Sequence, residues 1–135
     1  MKKVVIYTDG GARGNPGPAG IGVVIFDENE EEILASYKKY LGKTTNNQAE
    51  YQGVVLGLEK AKELGVDEAL VKVDSELICK QLTGEYKVKN PDFQQHFIKI
   101  HNLKLKFKKV EFKHVRRELN KLADALANEA MDAGK

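Results

Sequence analysis

Four acids in this 135-residue chain stand in contexts that would bring their carboxylates to one place: Asp9, Glu50, Asp74 and Asp124. Clustered carboxylates are costly, because like charges a few ångströms apart raise one another's pKa and destabilise the fold. A divalent cation removes that penalty. Magnesium prefers oxygen ligands, keeps several waters, and is usually held by a few carboxylates together with substrate phosphates. Two such ions can activate a water and stabilise the leaving oxygen of an in-line phosphoryl displacement. The chemistry these residues could do is therefore metal-assisted hydrolysis of a phosphodiester.

The elements around the acids must position them. Asp9 ends the apolar run Val4–Thr8 and precedes Gly10 and Gly11, which predicts a strand giving way to a turn. Asp74 closes Leu70–Val73 in the same manner and leads into Ser75–Ile78. Two buried strands would each deliver one carboxylate at a C-terminal end, where open α/β sheets place their ligands. Glu50 lies in a helix that Thr45 and Gln48 open with capping-box spacing, one turn before the core-facing stripe Val54, Val55, Leu58, Ala61 and Leu64. Asp124 lies in a terminal helix whose apolar face is expected to be Leu119, Leu122, Ala123, Leu126 and Ala130. Asn120, Asp124 and Asn128 would form a polar line beside that face. Each acid alone has a plainer reading: a turn residue at Asp9, a helix cap at Asp74, a dipole-stabilising acid at Glu50, a solvated helix residue at Asp124. The four in series favour the site.

The pattern predicts strands at 3–8, about 19–27, about 32–41, 69–73 and about 106–113. Helices fall at about 46–64, 75–82, about 91–103 and about 119–132, with Asn90–Pro91 a good helix start. Three successive strands followed by alternating helices and strands imply an α/β fold, a mixed five-stranded sheet flanked by helices. At 41% hydrophobic residues, residues 1–135 are expected to form one domain. The lone Cys79 excludes an internal disulfide and fits a reducing cytoplasm. The N-terminal apolar run is too short for a signal peptide, and no stretch could span a bilayer.

Taken together, several blocks resemble ribonuclease H type 1, in that family's order and over nearly the whole chain. They are Asp9-Gly10-Gly11 with Gly14–Gly20, Thr45–Glu50, Val73-Asp74-Ser75, and His114–Asp124. The resemblance implies an endonuclease that hydrolyses the RNA strand of an RNA–DNA hybrid, leaving 5′-phosphate and 3′-hydroxyl ends. Asp9, Glu50, Asp74 and Asp124 would be ligands of two Mg2+ ions, with Asp9 bridging both, and Mn2+ could substitute. Glu50 would also approach the 2′-hydroxyl beside the scissile phosphate, and His114 would assist proton transfer or product departure. Asn15, Asn46 and Asn47 fall at hybrid-contacting positions, and Thr45 with Asn90 at a pocket for a DNA-strand phosphate. Asparagine amides both donate and accept, as reading a 2′-hydroxyl requires. The glycines between Gly10 and Gly20 would let backbone groups approach the minor groove.

Two departures from the family pattern stand out. His114 is followed by Val115-Arg116-Arg117-Glu118 with no glycine, so Arg116 or Arg117 could share its electrostatic work. The family's basic helical protrusion is missing, since only Thr83–Lys89 joins the helix after Asp74 to the next. Charge suggests a replacement. The stretch from Lys80 to Lys121 holds 12 basic and 4 acidic residues, whereas the whole chain is +2. In that stretch Lys87, Lys89, Lys104, Lys106, Lys108, Lys109 and Lys113 would meet phosphates without sequence preference. The expected partner is an RNA–DNA hybrid, with duplex RNA a second candidate, acted on by a monomer with no membrane contact. Competing readings are a 3′–5′ exonuclease, a junction resolvase or transposase core, and an inactive nucleic-acid-binding module. The exonuclease would want a second acid where Gly11 stands, and a pure binding surface gains nothing from four acids facing phosphates.

Overall fold

The structure, a computed structural model, describes residues 2–134. Three long strands open the chain, β1 (Lys3–Ala12), β2 (Gly17–Asp27) and β3 (Ile33–Thr44), and α1 (Asn46–Glu63) follows. Then come β4 (Glu68–Val73), α2 (Glu76–Leu82), α3 (Pro91–Lys104), β5 (Lys109–His114) and α4 (Lys121–Ala133). The sheet order is β3-β2-β1-β4-β5. β1 pairs antiparallel with β2 and parallel with β4, and β4 pairs parallel with β5. The expected mixed five-stranded α/β sheet is what forms.

The sheet is covered unequally. Val4, Ile6, Val23, Ile25, Val71 and Val73 alternate along the central strands and bury against Val54, Leu58, Ala61, Ile78, Ile100 and Leu103 of the helices on one face. α4 packs on the other face, across β2, β1 and β3. Thr45, Ser75 and Asn90 cap α1, α2 and α3 with side-chain oxygens that accept from backbone N–H groups.

Two expectations are corrected here. β1 does not stop at Asp9: Asp9, Gly10 and Gly11 stay in the ladder, opposite Gly22, Ile21 and Gly20. Gly10 is glycine because a Cβ on it would overlap the backbone of Ala49 in α1. Gly22 is glycine because a Cβ there would overlap the carbonyl oxygen of Ala123 in α4. The pair sets how closely two helices approach the sheet; neither makes a turn.

The second correction concerns the terminal helix. It begins at Lys121 after a 3-10 turn at Arg117–Leu119, and its buried face is Ala123, Ala127, Ala130 and Met131. Leu119 and Leu122 are exposed at 64% and 52%. Ala123 and Ala127 lie over Gly22 and Gly20 with their backbone against β2, and Met131 fills the space beside Gly20 and Gly11.

Candidate active site

Strand register brings the first two acids level. Tyr7 of β1 pairs with Lys72 of β4, so two residues further along both parallel strands Asp9 meets Asp74 at the C-terminal end of β4. Glu50 arrives from the first turns of α1, which Gly10 admits into backbone contact with β1. One carboxylate oxygen from each of Asp9, Glu50 and Asp74 lies within 4.8 Å of the others. Asp124 projects from α4 into the same cleft, whose volume is about 440 Å³. Asn46, Asn47, Arg13 and Arg117 line its mouth. Asp74 does not cap α2, a role taken by Ser75.

The electrostatics are those of an anion cluster held against its preference. Burial first, then the charges of Asp74 and Asp124, raise the Asp9 carboxyl to about 8. Burial, followed by the charges of Asp9 and Asp74, lifts Glu50 well above the carboxylate range. Glu50 Oε2 is buried with no hydrogen-bond partner. A buried carboxylate oxygen without a donor is costly. Converging hard oxygens, one of them orphaned, are a donor set that fits Mg2+ or Mn2+ and is poor for soft metals.

The remaining predicted residues separate. Asn15 Oδ1 accepts from the Asn46 backbone N–H at 3.1 Å, and Asn46 Oδ1 accepts from the Ala12 N–H at 2.6 Å. Thr45 Oγ1 accepts from Gln48 N and Asn90 Oδ1 from Asp92 N, at the N-termini of α1 and α3, which pack together. In all four, the acceptor is committed internally, which leaves the amide or hydroxyl hydrogens for an outside oxygen. His114 ends β5 opposite Val73, exposed and outside the cleft lining. Arg117 lines the cleft with a guanidinium 3.7 Å from Asp124, while Arg116 is exposed beside it.

The structure separates the lysines as well. Lys109 pairs with Glu68, the first residue of β4, and Lys108 N–H donates to Asp67. Lys104, Lys106, Lys108 and Lys109 therefore gather at the opposite end of the sheet, about 20 Å of strand from the acids. Only Lys87 and Lys89 lie on the loop entering the Asn90 cap. The glycines are divided likewise. Arg13–Pro16 are exposed, whereas Gly17 and Gly20 are buried.

Sequence reasoning missed Asn120 and Arg13. Asn120, expected in a polar line beside the apolar face, is buried, and its side-chain amide donates to Asp74. Arg13 bonds α4 through Asp132, at 2.5 Å. No spacing rule points to either, because the contacts join residues far apart in the chain, Asn120 to Thr8 and Asp74 and Arg13 to Asp132.

A protein-family model described as reverse transcriptase-like matches residues 7–130. A bifunctional protein of Mycobacterium tuberculosis is 46% identical over 131 residues, covering 97% of this chain and 36% of that protein. The chain thus spans about a third of the length of that curated relative. Among solved structures, the ribonuclease H1 of the halophilic archaeon Halobacterium salinarum superposes with a TM-score of 0.94 at 40% identity, covering 98% and 99% of the two chains. A compost-derived ribonuclease H1, LC11, solved in complex with an RNA/DNA hybrid, gives a TM-score of 0.90 at 48% identity and 96% coverage of both.

Proposed function

This chain belongs to the ribonuclease H family, and from that membership we propose that it is an endonuclease that hydrolyses the RNA strand of RNA–DNA hybrids. In this reading residues 1–135 act as one catalytic domain, and the products carry 5′-phosphate and 3′-hydroxyl ends. The observation that carries the reading is the convergence of Asp9, Glu50 and Asp74 within 4.8 Å at the floor of an open cleft.

Asp9, Glu50, Asp74 and Asp124 would hold two Mg2+ ions in the presence of substrate, and Mn2+ can replace them. When bound, the ions supply a water made nucleophilic at neutral pH and charge stabilisation for the leaving oxygen. The chain's own residues do the rest. Asn15, Asn46 and Asn47 present donors to the RNA strand, where a 2′-hydroxyl can accept what a deoxyribose cannot. Thr45 and Asn90 offer donors at two neighbouring helix N-termini, a setting that favours a phosphate of the DNA strand. Arg117, already beside Asp124, adds positive charge at the cleft mouth. His114, at the end of β5, would aid product departure from the rim.

Among the described residues no helix is long and apolar enough to cross a membrane. The single buried cysteine, Cys79, suits a reducing, cytoplasmic setting. A monomer suffices, since every proposed ligand comes from one chain. The test is incubation of an end-labelled RNA–DNA hybrid, duplex RNA and duplex DNA with the protein in magnesium, with Asp9→Asn and a chelator as controls. Cleavage of the RNA strand in the hybrid supports the proposal, and cleavage of duplex RNA as well would widen the substrate class. Binding without cleavage in either Mg2+ or Mn2+ would reduce the protein to a hybrid-binding module.

A further inference from the structure

Asn120 is 1% exposed and its side chain reaches two of the acid-bearing strands at once. Its Nδ2 donates to the carbonyl oxygen of Thr8 at 2.9 Å and to Asp74 Oδ2 at 3.0 Å. Thr8 is the residue before Asp9. The backbone carbonyl of Asn120 accepts from the Asp124 N–H at 3.1 Å. One residue is thereby bonded to Asp74, to the peptide leading into Asp9, and to the peptide of Asp124.

These bonds replace a more usual one. Thr45, Ser75 and Asn90 stand before α1, α2 and α3 in extended backbone and turn their side-chain oxygens onto backbone N–H groups. Asn120 stands before α4 with φ −115° and ψ 31° and makes no side-chain cap. Its Oδ1 is buried with no partner. Both neighbours of its nitrogen are obligate acceptors, so chemistry fixes the amide orientation: the two hydrogens of one NH2 group serve Thr8 and Asp74. An asparagine that forgoes its cap and leaves its oxygen orphaned in order to grip a strand carbonyl and a carboxylate is serving the site rather than the helix.

We propose that Asn120 is a positioning residue for the metal site, fixing Asp74 by its Oδ2 so that Oδ1 faces the cleft, and locking β1, β4 and the start of α4 in register. This rests on the hybrid-nuclease reading only for its activity readout. Hydrogen-bonded partners behind metal-ligating carboxylates change metal affinity or turnover by about 10–100-fold when removed.

The test compares Asn120→Ala and the volume-preserving Asn120→Leu with the natural protein. Magnesium affinity is measured calorimetrically on the free protein, alongside kcat and KM on the hybrid. We expect magnesium binding weakened about 10–100-fold and kcat reduced to a similar degree, with KM for hybrid changed less than about threefold. Unchanged magnesium affinity and kcat in a variant with a lowered Tm would make Asn120 a structural residue and overturn the proposal. If the natural protein binds magnesium but cuts no hybrid, the nuclease reading falls while the affinity comparison still decides the role of Asn120. Should neither variant fold, the Asn120 side-chain amide resonances of 15N-labelled natural protein carry the decision. They should shift during a magnesium titration, and resonances that stay in place would refute the positioning role.

Discussion

Gly10 of β1 and Ala49 of α1 meet backbone to backbone, so closely that any Cβ on Gly10 would overlap the Ala49 carbonyl. Glu50 follows Ala49, and the contact is what holds its carboxylate over the strand that carries Asp9. Replacing Gly10 by alanine must push α1 away from the sheet, because the obstruction is backbone rather than a flexible side chain. Overpacking of this kind costs about 1–3 kcal/mol. We expect Gly10→Ala to lower Tm by several degrees and to reduce kcat on the hybrid at least about tenfold, measured by melting and steady-state cleavage. A variant with the lowered Tm but natural kcat would detach Glu50's position from this contact.

Asp9 lies where all the other carboxylates converge, so its amide should remove catalysis and spare association. Asp9→Asn is expected to lose cleavage by at least about a thousandfold while its Kd for the hybrid, measured in a binding assay, stays within about threefold. Comparable loss of binding would mean that the acid supports the surface rather than the chemistry.

The acid cluster should make metal-free stability depend on pH. The Asp9 carboxyl titrates at about 8 in the folded chain against an ordinary 3.8, and Glu50 moves in the same direction. A raised folded value means the folded state binds the proton more tightly. The resulting stabilisation is complete below about pH 4 and is lost as pH rises through 8. Melting of chelator-treated protein should therefore show Tm falling between pH 5 and 9. Added Mg2+ should restore roughly 5–10 °C at pH 9 and much less at pH 5. An equal magnesium effect at both pH values would show that the ion does not act on this cluster.

Arg117 and His114 make contrasting predictions. The guanidinium of Arg117 is 3.7 Å from Asp124 and lines the cleft, whereas His114 stands outside the lining. Arg117→Ala should lower kcat about tenfold and His114→Ala by about fivefold or less, compared under single-turnover and steady-state conditions to separate chemistry from release. Neither should change Tm appreciably, since exposed charges contribute little. The reverse order would return the larger role to the histidine.

Lysine contacts should be read from salt dependence. Removing Lys87 and Lys89, which enter the Asn90 cap, should flatten the slope of log affinity against log salt by about one to two. Removing Lys106, Lys108 and Lys109, at the far end of the sheet, should leave the slope nearly unchanged. A large change from the second set would mean that the hybrid extends along β5.

The local signals in the sequence determined what local interactions determine. Apolar alternation and β-branched runs specified the five strands, a 3.6-residue period specified α1, and Thr45 and Asn90 marked two helix starts through caps that the structure retains. The acids were legible because their residue types and order along the chain carry the family's pattern. Tertiary packing decided the remainder. Asp9-Gly10-Gly11 has the composition of a turn, yet it stays in β1, where the missing Cβ of Gly10 admits the backbone of α1 at Ala49. Leu119 and Leu122 have the period of a buried face, yet Ala123, Ala127, Ala130 and Met131 are buried instead, because Gly22 and Gly20 let the backbone of α4 settle on β2 at Ala123 and Ala127. Asn120 was expected within the terminal helix, yet it stands at the N-cap position of α4, and only the meeting of β1, β4 and α4 turned its amide toward Thr8 and Asp74, 112 and 46 residues away. The sequence encodes such contacts through the whole fold at once, so no window of it displays them.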